Sequence, residues 1–147
     1  MTHADLTRLV HQGLAALDQG KTQVALDHFE TAAPAWPTAL VLSCLGYCLA
    51  RERNEIDRGL DLCRKALRDE PANPVHYLNL GRVYLLARQK GPALGAFRRG
   101  LRFAEHPGLL KEINRLGRRR APLFPFLARE HALNRCCGLL LRRLRLR

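Results

Sequence analysis

The sequence predicts an all-α protein: an α-solenoid of three helix-turn-helix hairpins, then a capping helix and a C-terminal basic amphipathic helix. Three observations carry that expectation. An eight-residue pattern returns every 34 residues, as ALDHFETA from Ala25, GLDLCRKA from Gly59 and ALGAFRRG from Ala93. A glycine recurs upstream of each, at Gly13, Gly46 and Gly81. The composition, 47% apolar but only 6% aromatic and rich in Leu, Ala and Arg, favours helix over sheet.

The elements follow in chain order. The first hairpin pairs helices over 4–18 and 22–33, the second over 39–51 and 55–68, the third over 74–88 and 92–104. Thr2 with Asp5, and Asn54 with Asp57, have the spacing of a capping box. Asn73 before Pro74, and Gly91 before Pro92, place a cap residue ahead of proline at the first helical position. Pro37 and Pro71 fall just after second helices, where the chain stops being helical. Gly46 comes one residue early in the 34-residue frame, so the loop of the middle hairpin is expected to hold one extra residue.

Residue types match the packing such hairpins need. Where helices cross at about 8 Å, only Gly or Ala lets the backbones approach, and large side chains at Phe29, Tyr84 and Phe97 fill the space between hairpins. No hairpin buries its apolar face alone, so about three must stack.

The pattern resembles the tetratricopeptide repeat. The third unit matches its signature best, through Tyr77, Leu80, Gly81, Tyr84, Ala93 and Phe97. The first keeps Gly13, Ala25, Phe29, Ala32 and Pro37, with Leu9 and Ala16 where aromatics are usual. The second departs most, with Gly59 and Cys63 replacing Ala and an aromatic. The repeat domain is expected over 4–107, in units of about 4–37, 38–72 and 73–107.

A capping helix is expected over 108–117, with Leu109, Leu110, Ile113 and Leu116 on one face and Gly117 as its stop. The extension 118–147 is broken by Pro122 and Pro125 before a last helix starting near His131. There Leu133, Cys136, Cys137, Leu140, Leu141 and Leu144 share one face, while Arg135, Arg142, Arg143, Arg145 and Arg147 form a candidate anionic-surface site. Residues 1–110 carry 14 Lys+Arg against 11 Asp+Glu, and residues 111–147 carry 11 against 2, so most of the net charge of +12 lies in this last quarter. Three readings of the tail stay open: a solvated extension of the fold, a helix lying on an anionic membrane surface, or a partner-binding segment. Nucleic acid is disfavoured, because no aromatics interleave with the arginines. Pro125, Phe126, Leu127, Arg129, Leu133, Asn134 and Gly138 make the tail similar to those of small bacterial tetratricopeptide proteins, and that likeness brings no activity with it. Arg outnumbers Lys 21 to 4, in keeping with a GC-rich, bacterial coding sequence.

Catalytic chemistry is not indicated. The six histidines have no H-E-x-x-H relation, and GRVYLLARQKGPALG is not preceded by a strand that would make it a phosphate loop. Cys44, Cys48 and Cys63 suit buried hydrophobes better than metal ligands, and no cofactor or metal is expected. Cys136-Cys137 reads as buried on the apolar side of the last helix. MTHADLTRLV has no signal-peptide form, and no apolar run is long enough to span a membrane. With an odd number of cysteines, the thiols read as reduced in a cytoplasmic protein.

The resemblance implies an interaction scaffold whose first helices line a groove for a partner peptide or helix. Groove candidates, counted from the signature glycines, are His11 and Leu14, Ser43 and Tyr47, and Leu78, Asn79 and Arg82. Of the paired Lys and Asn with which some family members hold a chaperone C-terminus, only one polar residue remains: Val10, Leu14, Cys44, Val75 and Asn79 occupy those positions, which disfavours that activity. The alternative is a protein peripheral to the inner face of a membrane, or a polyanion binder, acting through the arginine tail.

Overall fold

The computed structural model describes residues 1–117; the expected C-terminal amphipathic helix, its arginines and Cys136-Cys137 lie outside the described residues. Seven helices are described: α1 (His3–Asp18), α2 (Thr22–Ala32), α3 (Ala39–Glu52), α4 (Ile56–Asp69), α5 (Pro74–Leu86), α6 (Lys90–Leu101) and α7 (Pro107–Gly117). α1/α2, α3/α4 and α5/α6 pair as hairpins, and the hairpins adjoin through α2 with α3, α3 with α5 and α4 with α5. No strand occurs among the described residues. α1 through Leu116 forms one compact unit.

The starts of the helices partly follow the expected caps. Thr2 and Asp5 form a reciprocal capping box, and Asn73 accepts from the Val75 N–H at 3.1 Å with Pro74 opening α5. Two expectations are corrected. Asn54 does not cap α4; it adopts φ 58 and closes the turn, while α4 starts without a side-chain cap. α6 begins at Lys90, so Pro92 sits inside the first turn, where a missing N–H breaks no helical bond.

All three hairpins turn the same way. The middle residue of each three-residue connection is left-handed: Gly20 at φ 73, Asn54 at φ 58 and Arg88 at φ 60. Each turn closes with a Schellman-type bond from the following N–H back into the helix: Lys21 to Ala16, Glu55 to Leu49 and Gln89 to Tyr84. The middle bond spans one residue more than the others. The extra residue therefore lies in the last turn of α3 and not, as expected, in the loop.

The helix crossings explain why the second unit departs from the pattern. A Cβ on Gly13 would lie 2.8 Å from the Phe29 ring, and one on Gly81 would overlap the Phe97 ring; both rings are fully buried. In the middle hairpin Cys63 replaces the ring, and the gap closes by backbone contact instead. A Cβ on Gly46 would meet the Gly59 carbonyl oxygen at 2.7 Å, and one on Gly59 would meet the Gly46 oxygen at 2.6 Å. Two glycines and a thiol substitute for Gly, Ala and Phe.

α7 closes the third hairpin. Leu109 is fully buried and packs with Leu78, Ala93 and Phe97, joined by Ile113 and Leu116. Leu110, placed on the apolar stripe from sequence, is 39% exposed. At 100° per residue it turns away once Leu109 points inward.

Candidate functional site

A groove of about 580 Å³ lies along the first helices of the hairpins and α7. Its walls come from the C-terminal end of α1, from Tyr47 and Arg51 on α3, from Arg82 and Leu86 on α5, and from Lys111, Glu112 and Arg115 on α7. Tyr47 and Arg82 each follow a signature glycine by one residue, so the repeat itself brings them together. The Arg82 guanidinium carbon sits 5.3 Å from the centre of the Tyr47 ring, within range of a cation–π contact. Arg82 Nε also donates to Glu112 Oε1 at 3.2 Å. Arg115 lies 3.1 Å from the other Glu112 oxygen, but not aligned to hydrogen-bond it. Glu112 is thus a buried carboxylate held between two arginines, while Arg51 and Lys111 add positive charge without an acidic partner among the described residues.

The remaining sequence candidates fall elsewhere. Ser43, Leu78 and Asn79 are only 0%, 6% and 2% exposed, which corrects their assignment to the groove surface. α3 and α5 pack side by side, so positions two and three residues before the glycine face the neighbouring helix. Asn79 Nδ2 donates to Ser43 Oγ at 3.2 Å, and Leu78 lies beneath Gly108 and Leu109 of α7. His11 is exposed outside the groove, in a shallow depression with Ala4, Thr7 and Arg8. Leu14 is half-buried against the first core cluster. Arg51 and Leu86 were missed, although each lies one helical turn beyond Tyr47 or Arg82 and that extension would have found them. Lys111, Glu112 and Arg115 depend on how α7 docks, which the repeat spacing does not encode.

Sequence spacing also missed a buried polar chain across the second and third hairpins. Ser43 Oγ lies 2.9 Å from His76 Nδ1, and His76 Nε2 lies 3.1 Å from Glu70 Oε2. A Ser-His-Glu series invites a hydrolase reading. Ser43 and His76 are both fully buried, however, so no substrate reaches the hydroxyl. The chain satisfies polar groups enclosed where α3 meets α5. Burial holds the His76 pKa below the ordinary imidazole value, opposed in part by Glu70; hydrogen bonds from Asn73 and His76 lower that of Glu70. The neighbouring thiols stay protonated: desolvation raises Cys44 and Cys48 to about 12 and pushes Cys63 up further.

This histidine gives stability a pH dependence of defined sign. The unfolded imidazole takes a proton near 6.5, whereas the folded one resists it to lower pH. Acid therefore favours the unfolded state, and the His76 contribution is complete above about pH 6.5 and lost progressively below it. Thermal melts of the unsubstituted chain and His76→Gln at pH 7.5 and 5.5 check this. The melting point of the unsubstituted chain should fall on acidification, and that of His76→Gln should fall less; equal falls would reject the assignment.

No protein-family model matches the chain, and no curated protein matches it. Solved structures do. The TPR domain of Sgt2 from Aspergillus fumigatus aligns over 78% of each chain with TM-score 0.61 and 15% identity. The first TPR of Spaghetti (RPAP3) bound to HSP90 peptide SRMEEVD aligns over 80% of this chain and 94% of that one, with TM-score 0.60 and 15% identity. The first TPR domain of human RPAP3 aligns over 76% and 89%, with TM-score 0.60 and 16% identity. The chain has the fold of a tetratricopeptide-repeat domain.

Proposed function

We propose that this chain is a protein-protein interaction scaffold that holds a segment of a partner protein in the groove between α3, α5 and α7. The observation that carries the reading is the Tyr47–Arg82–Glu112 stack at the groove's centre. It offers a flat ring, with a guanidinium fixed over it before any partner arrives. Of five N–H donors on Arg82, only Nε is used by Glu112, which leaves the terminal nitrogens for a partner's carbonyl or carboxylate. Tyr and Arg are the residue types on which binding energy concentrates. The fold relative bound to SRMEEVD supports a peptide as the class of ligand. The way that ligand is held must differ here, because Asn79 is buried and already hydrogen-bonded to Ser43 and Cys44.

The test is affinity recovery of partners with substituted chains. Tyr47→Ala combined with Arg51→Glu should lower partner recovery by roughly 30-fold, the effect of losing one strong anchor of about 2 kcal/mol. Removal of residues 133–147 should leave recovery intact. The opposite pattern, loss on truncation and steep weakening as salt rises, would favour action through the arginine tail and overturn the groove. Arg82→Ala is a poorer probe, since it also strips Glu112 of a partner.

A further inference from the structure

On the other face of α5 the chain carries a second, larger cleft, of about 840 Å³, flanked by α4 and α6. Leu80 and Tyr84 lie on its floor, on the α5 face turned away from Arg82 and Leu86. Its walls are arginine. α4 supplies Arg64 and Arg68; α6 supplies Arg98, with Arg102 at its C-cap and Arg99 beside them. Arg64 with Arg98, and Arg68 with Arg102, are related by the 34-residue period, so the repeat sets equivalent arginines on successive second helices, one turn apart on each. The first hairpin breaks the series: Glu30 and Pro34 stand at the matching positions, and Glu30 is engaged with Arg53. Only the second and third hairpins build the charged walls.

We infer that this cleft binds an acidic segment of a partner protein, seating an apolar side chain on Leu80 and Tyr84 between carboxylates held by Arg64, Arg68, Arg98 and Arg102. Charge complementarity chooses the occupant. No acidic residue lines the cleft, and among the described residues only Arg64 of these four has an acidic partner, Asp61 at a loose 3.5 Å. The repulsion of the five clustered guanidinium groups, Arg99 included, thus stands nearly uncompensated until carboxylates arrive. A second copy of the chain, at net charge +12, cannot supply them. Residues 118–147 cannot either, with nine arginines against the single acid Glu130. The floor argues for a peptide over a nucleic acid: Leu67, Leu80 and Ala96 line it, an aliphatic surface suited to an apolar side chain. The volume is large enough for several side chains of an extended segment.

The full chain is titrated against a fluorescein-labelled peptide with a leucine–phenylalanine pair between runs of glutamate, followed by anisotropy. Arg98→Glu with Arg102→Glu should weaken binding on the order of tenfold or more. Arg8→Glu with Lys21→Glu makes the same change in net charge on the first hairpin and should leave binding unaltered. In the unsubstituted chain the peptide should shift the Nε–Hε signals of Arg98 and Arg102. If the charge reversal disturbs helicity, Arg98→Gln with Arg102→Gln replaces it. The inference is overturned if both double substitutions weaken binding equally, or if a glutamine version of the peptide binds as well. It is also overturned if a single-stranded oligonucleotide or phosphatidylserine vesicles compete the peptide from these arginines at lower concentration. None of these readouts involves Tyr47 or Arg51, so this site and the groove stand or fall separately.

Discussion

The Gly46→Val chain melts well below the unsubstituted one, by roughly 10 °C or more, equivalent to about 2–3 kcal/mol in a domain of this size. The physical reason is the identity of the obstructing atoms. At Gly46 the first added carbon meets a backbone oxygen at 2.7 Å and Leu62 Cβ at 3.1 Å, and neither is the end of a flexible side chain. α3 and α4 must move apart as rigid bodies, which uncovers Cys48, Leu49 and Cys63. Alanine tests the same contact less cleanly, because it regains up to about 1 kcal/mol of helix propensity over glycine. Gly95→Ala gives the matching control. That glycine lies within α6 with nothing close to an added Cβ, so alanine there should stabilise by roughly 0.5–1 kcal/mol. Thermal circular dichroism of the two variants should therefore move in opposite directions.

Phe97→Ala should be the most damaging side-chain truncation, at about 3–5 kcal/mol in urea denaturation. The ring fills the hollow over Gly81 and reaches the cluster that holds α7 through Leu109. Its removal leaves a cavity among Gly81, Leu78, Ala93 and Leu109, and loosens α7 along with the groove wall it provides. Gly81→Ala alone is also destabilising, since its Cβ overlaps the ring. Gly81→Ala with Phe97→Leu should lose less than the sum of the separate changes, because the smaller side chain makes room for the new methyl. Strict additivity would mean that the ring and the glycine do not pack as a unit.

The hairpins were legible because their signal is local and repeated. Helical periodicity, Asn73-Pro74, Thr2 and Asp5, and the recurrent small residues each act within one helix or one turn. What escaped was decided by neighbours. Asn54 looks like a cap until the turn requires a left-handed residue, and Arg88 occupies the same conformation with no compositional sign of it. Ser43 and Asn79 lie on the expected side of their own helices, but α3 and α5 approach closely enough to enclose them. Periodicity places a residue on its helix; it does not state which neighbouring helix covers that face. The charged cleft was overlooked for a related reason. Arg64, Arg68, Arg98 and Arg102 read singly as solvated charges, and only the splaying of α4 and α6 over α5 makes them one wall.

The second unit shows how a weakened signature can still build the same hairpin. Cys63 leaves a deficit of volume, and Gly59 lets the backbone close it. The consequence for function is geometric. Tyr47 follows Gly46 on α3, so main-chain contact sets its placement relative to α4.

The groove can be examined most directly by photocrosslinking in cells that make the full chain. Benzoylphenylalanine in place of Tyr47 should join one discrete protein through a defined peptide, identified by mass spectrometry, while the same reagent in place of the exposed Gln23 on α2 should not. Equal crosslinking from both positions, or none from position 47, would contradict the account.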